Sequence, residues 1–279
     1  MKIFISADME GITGLVDAGD VQPGGRDYER GRVMMTEDVN AAIRGALTAG
    51  ATAVTVNDAH GPMRNLLTDL LHPAATLIRG RPKPMGMLEG LTGDFDAAVC
   101  VGYHARAGAL GVLSHSFMGH EIEDMWLDDR PAGEIGLTHA TAAALGVPVV
   151  ALSGDDAACA EMSGWDPAVA TVAVKGARDR FAAELRPVPE AREAIEQAVN
   201  SALRDLTPRS GTPRSGLDPR TLAVRWQSAS VASQLAAVPG VSLRDSRTVQ
   251  VAGAMPDLFR LLGVFMAVAA ALTGQPPYC

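Results

Sequence analysis

A chain of 279 residues, 47% hydrophobic and 20% charged, carries enough apolar surface for a substantial core, which excludes global disorder. Its 24 basic residues against 32 acidic ones leave a net charge of -8, which disfavours a phosphate backbone as the main partner, so nucleic acid is not expected. Aromatic residues make up only 4%, so the core is expected to be small aliphatic side chains with close backbone approaches.

Short runs rich in Val, Ile and Ala alternate with helix-length segments, the pattern of an α/β fold with a mostly parallel three-layer sheet. Strands are expected at Lys2–Ala7, Ala53–Asn57, Ala97–Tyr103, Pro148–Leu152 and Thr171–Val174. The apolar start, Met1 to Ile5, is too short for a signal peptide before Asp8 and Glu10 interrupt it. A long helix over Tyr28–Thr48, closed by Gly50, completes a βαβ opening. A second helix over Glu190–Leu206 sets Ile195, Val199, Leu203 and Leu206 on one stripe. Thr207-Pro-Arg-Ser-Gly211 then repeats at once as Thr212-Pro-Arg-Ser-Gly216, a run of turn formers read as a linker. The expected organisation is a larger α/β domain over 1–206, a linker over 207–219 and a smaller α+β domain over 220–279. In the latter, a strand (Leu222–Trp226), a helix (Ser230–Ala237), two short strands around Arg244–Gln250 and a helix from Pro256 are expected. The apolar run Leu261–Leu272 falls short of the about 20 residues that span a bilayer, so a buried helix and no membrane partner are expected. Cys100, Cys159 and Cys279 lie far apart without a C-x-x-C pair, which suits a reducing, cytoplasmic setting.

In open α/β sheets ligands bind beyond the carboxyl ends of the strands, so the residues there are the informative ones. The first strand delivers Asp8 and Glu10, which project to one side of extended chain. The second ends in Asn57-Asp58-Ala59-His60, the third in Tyr103-His104. His115 follows in Ser114-His115-Ser116, and Glu134 in Arg130-Pro-Ala-Gly-Glu134. Carboxylates gathered on one rim repel unless a cation or an arginine joins them. A mixed carboxylate and imidazole set without thiolate suits zinc, manganese, iron or cobalt. Five ligands exceed the usual protein complement of one catalytic zinc, and two metals sharing a carboxylate account for the surplus and point to hydrolysis.

The remaining ionisable residues have plainer readings. His72 precedes Pro73 as a turn residue, His139 packs on a helix, and His120 with Glu121, Glu123 and Asp124 forms a solvated loop. Asp155 and Asp156 cap a helix, with a supporting role beside the metals as the alternative. The chain has no G-x-x-x-x-G-K-[ST], no G-x-S-x-G and no H-E-x-x-H, and the first strand leads into no G-x-G-x-x-G. Nucleotide sites, a serine-hydrolase elbow and a helix-borne zinc protease are therefore not expected.

Ser6-Ala-Asp8-Met-Glu10-Gly11, Asn57-Asp58-Ala-His60, Gly102-Tyr-His104-Ala-Arg106, Ser114-His115-Ser116 and Asp129-Arg-Pro-Ala-Gly-Glu134 together resemble the bacterial zinc-dependent D-aminopeptidase family. The motifs run in the family's order from Met1 to about Asp156, with looser likeness beyond. The resemblance implies two zinc ions per subunit, Asp8 bridging them, Glu10 and His60 completing one site, His104 and Glu134 the other, and His115 as the catalytic histidine. It further implies cleavage of short peptides with an N-terminal D-residue, such as D-Ala-D-Ala, and a homo-decamer of two stacked five-membered rings. A slightly longer Phe117–Asp128 segment, Pro23-Gly-Gly25 and the tandem repeat depart from the family pattern. Hydrolysis of L-amino-terminal substrates and non-catalytic peptide binding for uptake are the alternative functions.

Overall fold

The computed structural model describes residues 1–206 and 218–274. Along the chain it runs β1 (Lys2–Ala7), α1 (Ala18–Val21), α2 (Tyr28–Thr48), β2 (Ala53–Asp58), β3 (Ala75–Ile78), β4 (Ala97–Tyr103), β5 (Ile122–Leu127) and β6 (Arg130–Pro131). It continues with α3 (Glu134–Ala144), β7 (Val149–Asp155), α4 (Asp156–Trp165), β8 (Ala170–Asp179), β9 (Ala182–Leu185) and α5 (Val188–Arg204). The last elements are β10 (Arg220–Trp226), α6 (Ala229–Leu235), β11 (Ser242–Leu243), β12 (Thr248–Gly253) and α7 (Met255–Thr273).

The main sheet has the order β3-β2-β1-β4-β7-β8-β9, parallel except for β9. The alternation of β1 divides the core in two. Ile3, Ile5 and Ala7 face the layer that contains α2 and α5, while Phe4 faces the opposite cluster, which includes α3 and α7. On α5, Ile195, Val199 and Leu203 are buried in the first cluster as the stripe predicts, while the helix ends at Arg204 and Leu206, just beyond it, packs at the margin of that cluster.

The second sheet is antiparallel, in the order β11-β12-β10-β5-β6. Two corrections follow from it. The acidic stretch expected as a solvated loop is β5, whose Ile122, Met125 and Leu127 are buried while Glu123 is exposed. Because β5 and β6 come from residues 122–131, a division at 207–219 does not separate the two sheets. The tandem repeat, residues 207–216, lies outside the described residues. The C-terminal helix begins at Met255, earlier than the apolar run, and is by length and hydropathy alone capable of crossing a membrane. Its Leu258, Phe259, Leu262, Phe265 and Ala269 are nevertheless buried in the protein core.

The carboxyl end of β1 is pinned against β4. The Asp8 N–H donates to the Val101 carbonyl and the Gly11 N–H to that of Gly102, both at 2.8 Å. Gly102 has φ +73, and a Cβ there would collide with the Asp8 carbonyl oxygen. From β8, the buried Lys175 reaches under the loop that follows β1. Its Nζ donates to the carbonyls of Glu10 (2.6 Å), Ile12 (2.9 Å) and Leu15 (2.5 Å). Burial lowers its pKa to about 8 despite the surrounding carboxylates.

Replacing Lys175 with Met should destabilise the fold by about 3 kcal/mol, because three buried carbonyls lose their common donor. Urea denaturation measures this, and an unchanged midpoint would show that the loop is held by other contacts.

Candidate metal centre

All five expected ligands and His115 converge at the carboxyl rim of the parallel strands. Asp8 and Glu10 leave β1, His60 follows β2, and His104 follows β4 directly. Glu134 is the first residue of α3, where the partial positive charge of the helix N-terminus favours a carboxylate. His115 sits in the loop between β4 and β5. Asp8, Glu10, His60, His104 and Glu134 are each at most 9% exposed, a degree of burial that ionised groups reach only when neutralised.

The cluster falls into two halves that meet at Asp8. On one side, His60 Nδ1 lies 3.3 Å from Asp8 Oδ1 and 2.9 Å from Glu10 Oε2. On the other, His104 Nε2 lies 3.5 Å from Asp8 Oδ2 and 3.3 Å from Glu134 Oε1. Each Asp8 oxygen thus faces a different imidazole. His115 Nε2 stands farther off, 3.9 Å from Glu10 Oε1 and 4.0 Å from Glu134 Oε1. Its ring stacks on that of His104 with centroids 4.1 Å apart and planes 9° from parallel.

Backbone carbonyls fix which nitrogen of each imidazole faces inward. His60 Nε2 pairs with the Val21 carbonyl (2.9 Å), His104 Nδ1 with that of Ala105 (3.0 Å) and His115 Nδ1 with that of Leu113 (2.8 Å). As neutral rings donating these outer bonds, all three turn a bare lone pair toward the carboxylates, the arrangement that metal-binding histidines adopt. Ion pairing by protonated rings is the competing account. It leaves Asp8 Oδ2, Glu10 Oε2 and His104 Nε2 buried without a hydrogen-bond partner. Cations between these atoms would satisfy all three.

The electrostatics carry the same strain. Burial, then repulsion from Glu10, pushes the Asp8 carboxyl up to about 7. For Glu10 burial pulls upward too, but the His60 imidazole outweighs it and the carboxyl lies well below its ordinary range. Burial likewise opposes the charge on His60 and His104, yet Glu10 and Glu134 respectively raise both well above the usual histidine value. His115 is lowered, by burial and then by His104. Three donor sets have ligand atoms all within 4.8 Å of one another: Asp8, Glu10 and His60; Asp8, His104 and Glu134; and Glu10, His104 and His115. The nitrogen and oxygen donors, with no sulfur, fit zinc and related transition ions.

Of the other residues weighed in the sequence, His72 accepts from the Ala74 N–H as a turn residue. His139 pairs with Asp166 at 3.2 Å on α3. Asp155 caps α4 through the Ala158 N–H, and its second oxygen accepts from Val112 N–H at 2.6 Å, which braces the loop carrying His115. Sequence reasoning missed Lys175 and the three carbonyls behind the imidazoles. A lysine deep within an apolar strand was the one available signal.

The family model for D-aminopeptidase (Peptidase_M55) matches residues 1–264. The chain is 38% identical over 248 residues to a D-aminopeptidase of Bacillus subtilis (strain 168), covering 89% of each protein. It superposes with a TM-score of 0.90 and 36% identity, over the full length of both chains, on the Zn-dependent D-aminopeptidase DppA from Bacillus subtilis, described as a self-compartmentalizing protease.

Zinc added to chelator-stripped protein should raise the melting temperature by several degrees, since a ligand at a hundredfold excess over its Kd contributes about 2.7 kcal/mol. Asp8→Asn should blunt that rise. A native melting curve that zinc does not move would remove the cluster as a metal site.

Proposed function

Because the chain belongs to the D-aminopeptidase family, we propose that it is a zinc-dependent hydrolase that removes the N-terminal D-residue from short peptides such as D-Ala-D-Ala. The observation that carries this reading is Asp8, whose two oxygens face separate imidazole–carboxylate sets. Two zinc ions fit that division: Asp8, Glu10 and His60 would hold one, and Asp8, His104 and Glu134 the other. Zinc supplies Lewis acidity toward the scissile carbonyl and acidifies water toward neutral pH.

The rest of the chemistry belongs to the chain's own residues. The free amine of the substrate, taken up as the neutral base, would offer its lone pair to the metal centre, which favours cleavage at the amino end. His115 holds its Nδ1 proton on the Leu113 carbonyl, so Nε2 is free to accept a proton and pass it to the leaving amine. Its distance from Glu10 and Glu134 leaves space beside Nε2 for a reacting group. Cys100 and Cys159 are buried free thiols, which suits a cytoplasmic enzyme. A homo-decamer of two stacked five-membered rings accords with the self-compartmentalizing relative and with the exposed apolar Leu243 and Val264.

Paired D- and L-aminoacyl nitroanilides test the activity. Release from the D-substrate alone, abolished by chelator and restored by zinc, is expected; release from neither would favour a binding protein. His115→Ala should cut turnover by roughly a hundredfold or more while zinc content, measured by atomic absorption, stays unchanged. Lost zinc would make His115 a ligand, and unchanged turnover would remove it from the mechanism. Light scattering should give ten times the subunit mass of 29.0 kDa, and a monomer mass would overturn the ring assembly.

A further inference from the structure

A cleft of about 490 Å³ opens beside His115, within the range of small-ligand sites. Its wall contains His115, His120 and Arg180, which carry basic side chains, together with Glu123. The acid is already engaged: Arg225 lies 3.1 Å and Arg247 2.6 Å from its two oxygens. Arg180 is in the opposite condition. Its Nε is buried without a hydrogen-bond partner, and among the described residues no carboxylate lies within ion-pair distance of its guanidinium. The neighbouring Asp179 instead turns its carboxylate to the Arg180 main-chain N–H, at 2.6 Å.

The backbone ties this arginine to the reacting histidine. The Arg180 carbonyl accepts from Leu113 N–H at 2.8 Å, and the Leu113 carbonyl receives His115 Nδ1 at 2.8 Å. The guanidinium carbon lies 5.4 Å from the Phe181 ring centroid, a cation–π contact that steadies it. The cleft is also lined by small or apolar groups, Ala107, Gly108, Ala109 and Ile122. A peptide whose amino end lies in the metal cluster and whose scissile bond lies at His115 runs its remaining length into this cleft.

We propose that Arg180 binds the C-terminal carboxylate of the short peptide substrate, so that the cleft selects peptides with a free acid end and small residues after the scissile bond. This rests on the aminopeptidase reading and adds the group that recognises the far end of the substrate. A planar guanidinium with no carboxylate partner among the described residues matches a substrate carboxylate through parallel charge-assisted hydrogen bonds.

The test compares D-Ala-D-Ala with its C-terminal amide. The native enzyme should prefer the acid in kcat/KM, chiefly through KM, by roughly tenfold to a hundredfold, the effect of one charge-assisted contact. In Arg180→Ala the ratio of acid to amide should collapse toward one, and Arg180→Lys should restore part of it. Equal use of acid and amide by the native enzyme overturns the proposal without any variant, as does a preference that survives in Arg180→Ala with an unchanged melting temperature. If the native enzyme cleaves neither compound nor any D-aminoacyl nitroanilide, the aminopeptidase reading itself fails and this inference with it; if the nitroanilide is cleaved, only the carboxylate assignment is at stake.

Discussion

One buried carboxylate sets the terms for the rest of the molecule. Asp8 sits between two imidazole–carboxylate sets with an oxygen toward each, in surroundings where an isolated anion is costly. Such a group persists only if its neighbours are fixed closely enough to compensate. The fold does this by placing Asp8 at the end of a strand paired on both sides, so β2 and β4 deliver His60 and His104 from either flank. Gly102 lets β4 approach the Asp8 backbone, and no side chain would fit there.

The second sheet contributes to the same point from outside the parallel layer. β5 and β6 lead the chain back into α3 at Glu134, whose Oε1 also accepts from Phe117 N–H at 2.6 Å. Glu134 thereby links the metal rim, the helix terminus and the His115 loop. Lys175 closes the arrangement from below with a cation directed at main-chain carbonyls rather than at the carboxylates. It orders the Glu10 loop without neutralising the negative side chains that a metal requires.

Much of this was legible in the sequence because parallel strands announce themselves locally. Lys2–Ala7, Ala97–Tyr103 and the helix Tyr28–Thr48 match their expected bounds, since continuous apolar runs and a terminal Gly50 define them without reference to distant partners. Strands 148–152 and 171–174 proved longer, extending to Asp155 and Asp179, because their polar ends pair in the sheet despite their composition. β5 escaped notice for a related reason. Its Glu123 and Asp124 suggest solvent, while its partner β10 lies some hundred positions away, and only that pairing turns Ile122, Met125 and Leu127 inward. The β5–β6 turn falls on Asp128 and Asp129, both at positive φ, a weaker signal than the Asn-Gly that usually marks such turns. The convergence of Asp8, Glu10, His60 and His104 could be read from strand ends, but the inward orientation of their rings could not, since Val21 and Ala105 act through carbonyls that every residue possesses.

His115 shows how backbone strain and chemistry meet. Leu113 and Phe117, on either side of it, have φ of 53 and 55, in a region that costs a non-glycine residue about 1–3 kcal/mol. Each strained residue places its N–H on a functional neighbour: Leu113 on the Arg180 carbonyl and Phe117 on the Glu134 carboxylate. Those bonds offset the strain and hold the loop so that the His115 ring stacks on His104 with Nε2 bare. Two parallel imidazoles at this separation oppose a shared positive charge, and His104 is committed to Asp8 and Glu134. His115 is therefore the ring left free to accept a proton. Its loop ties the cluster at one end to the arginine of the cleft at the other, with a bare imidazole nitrogen between them.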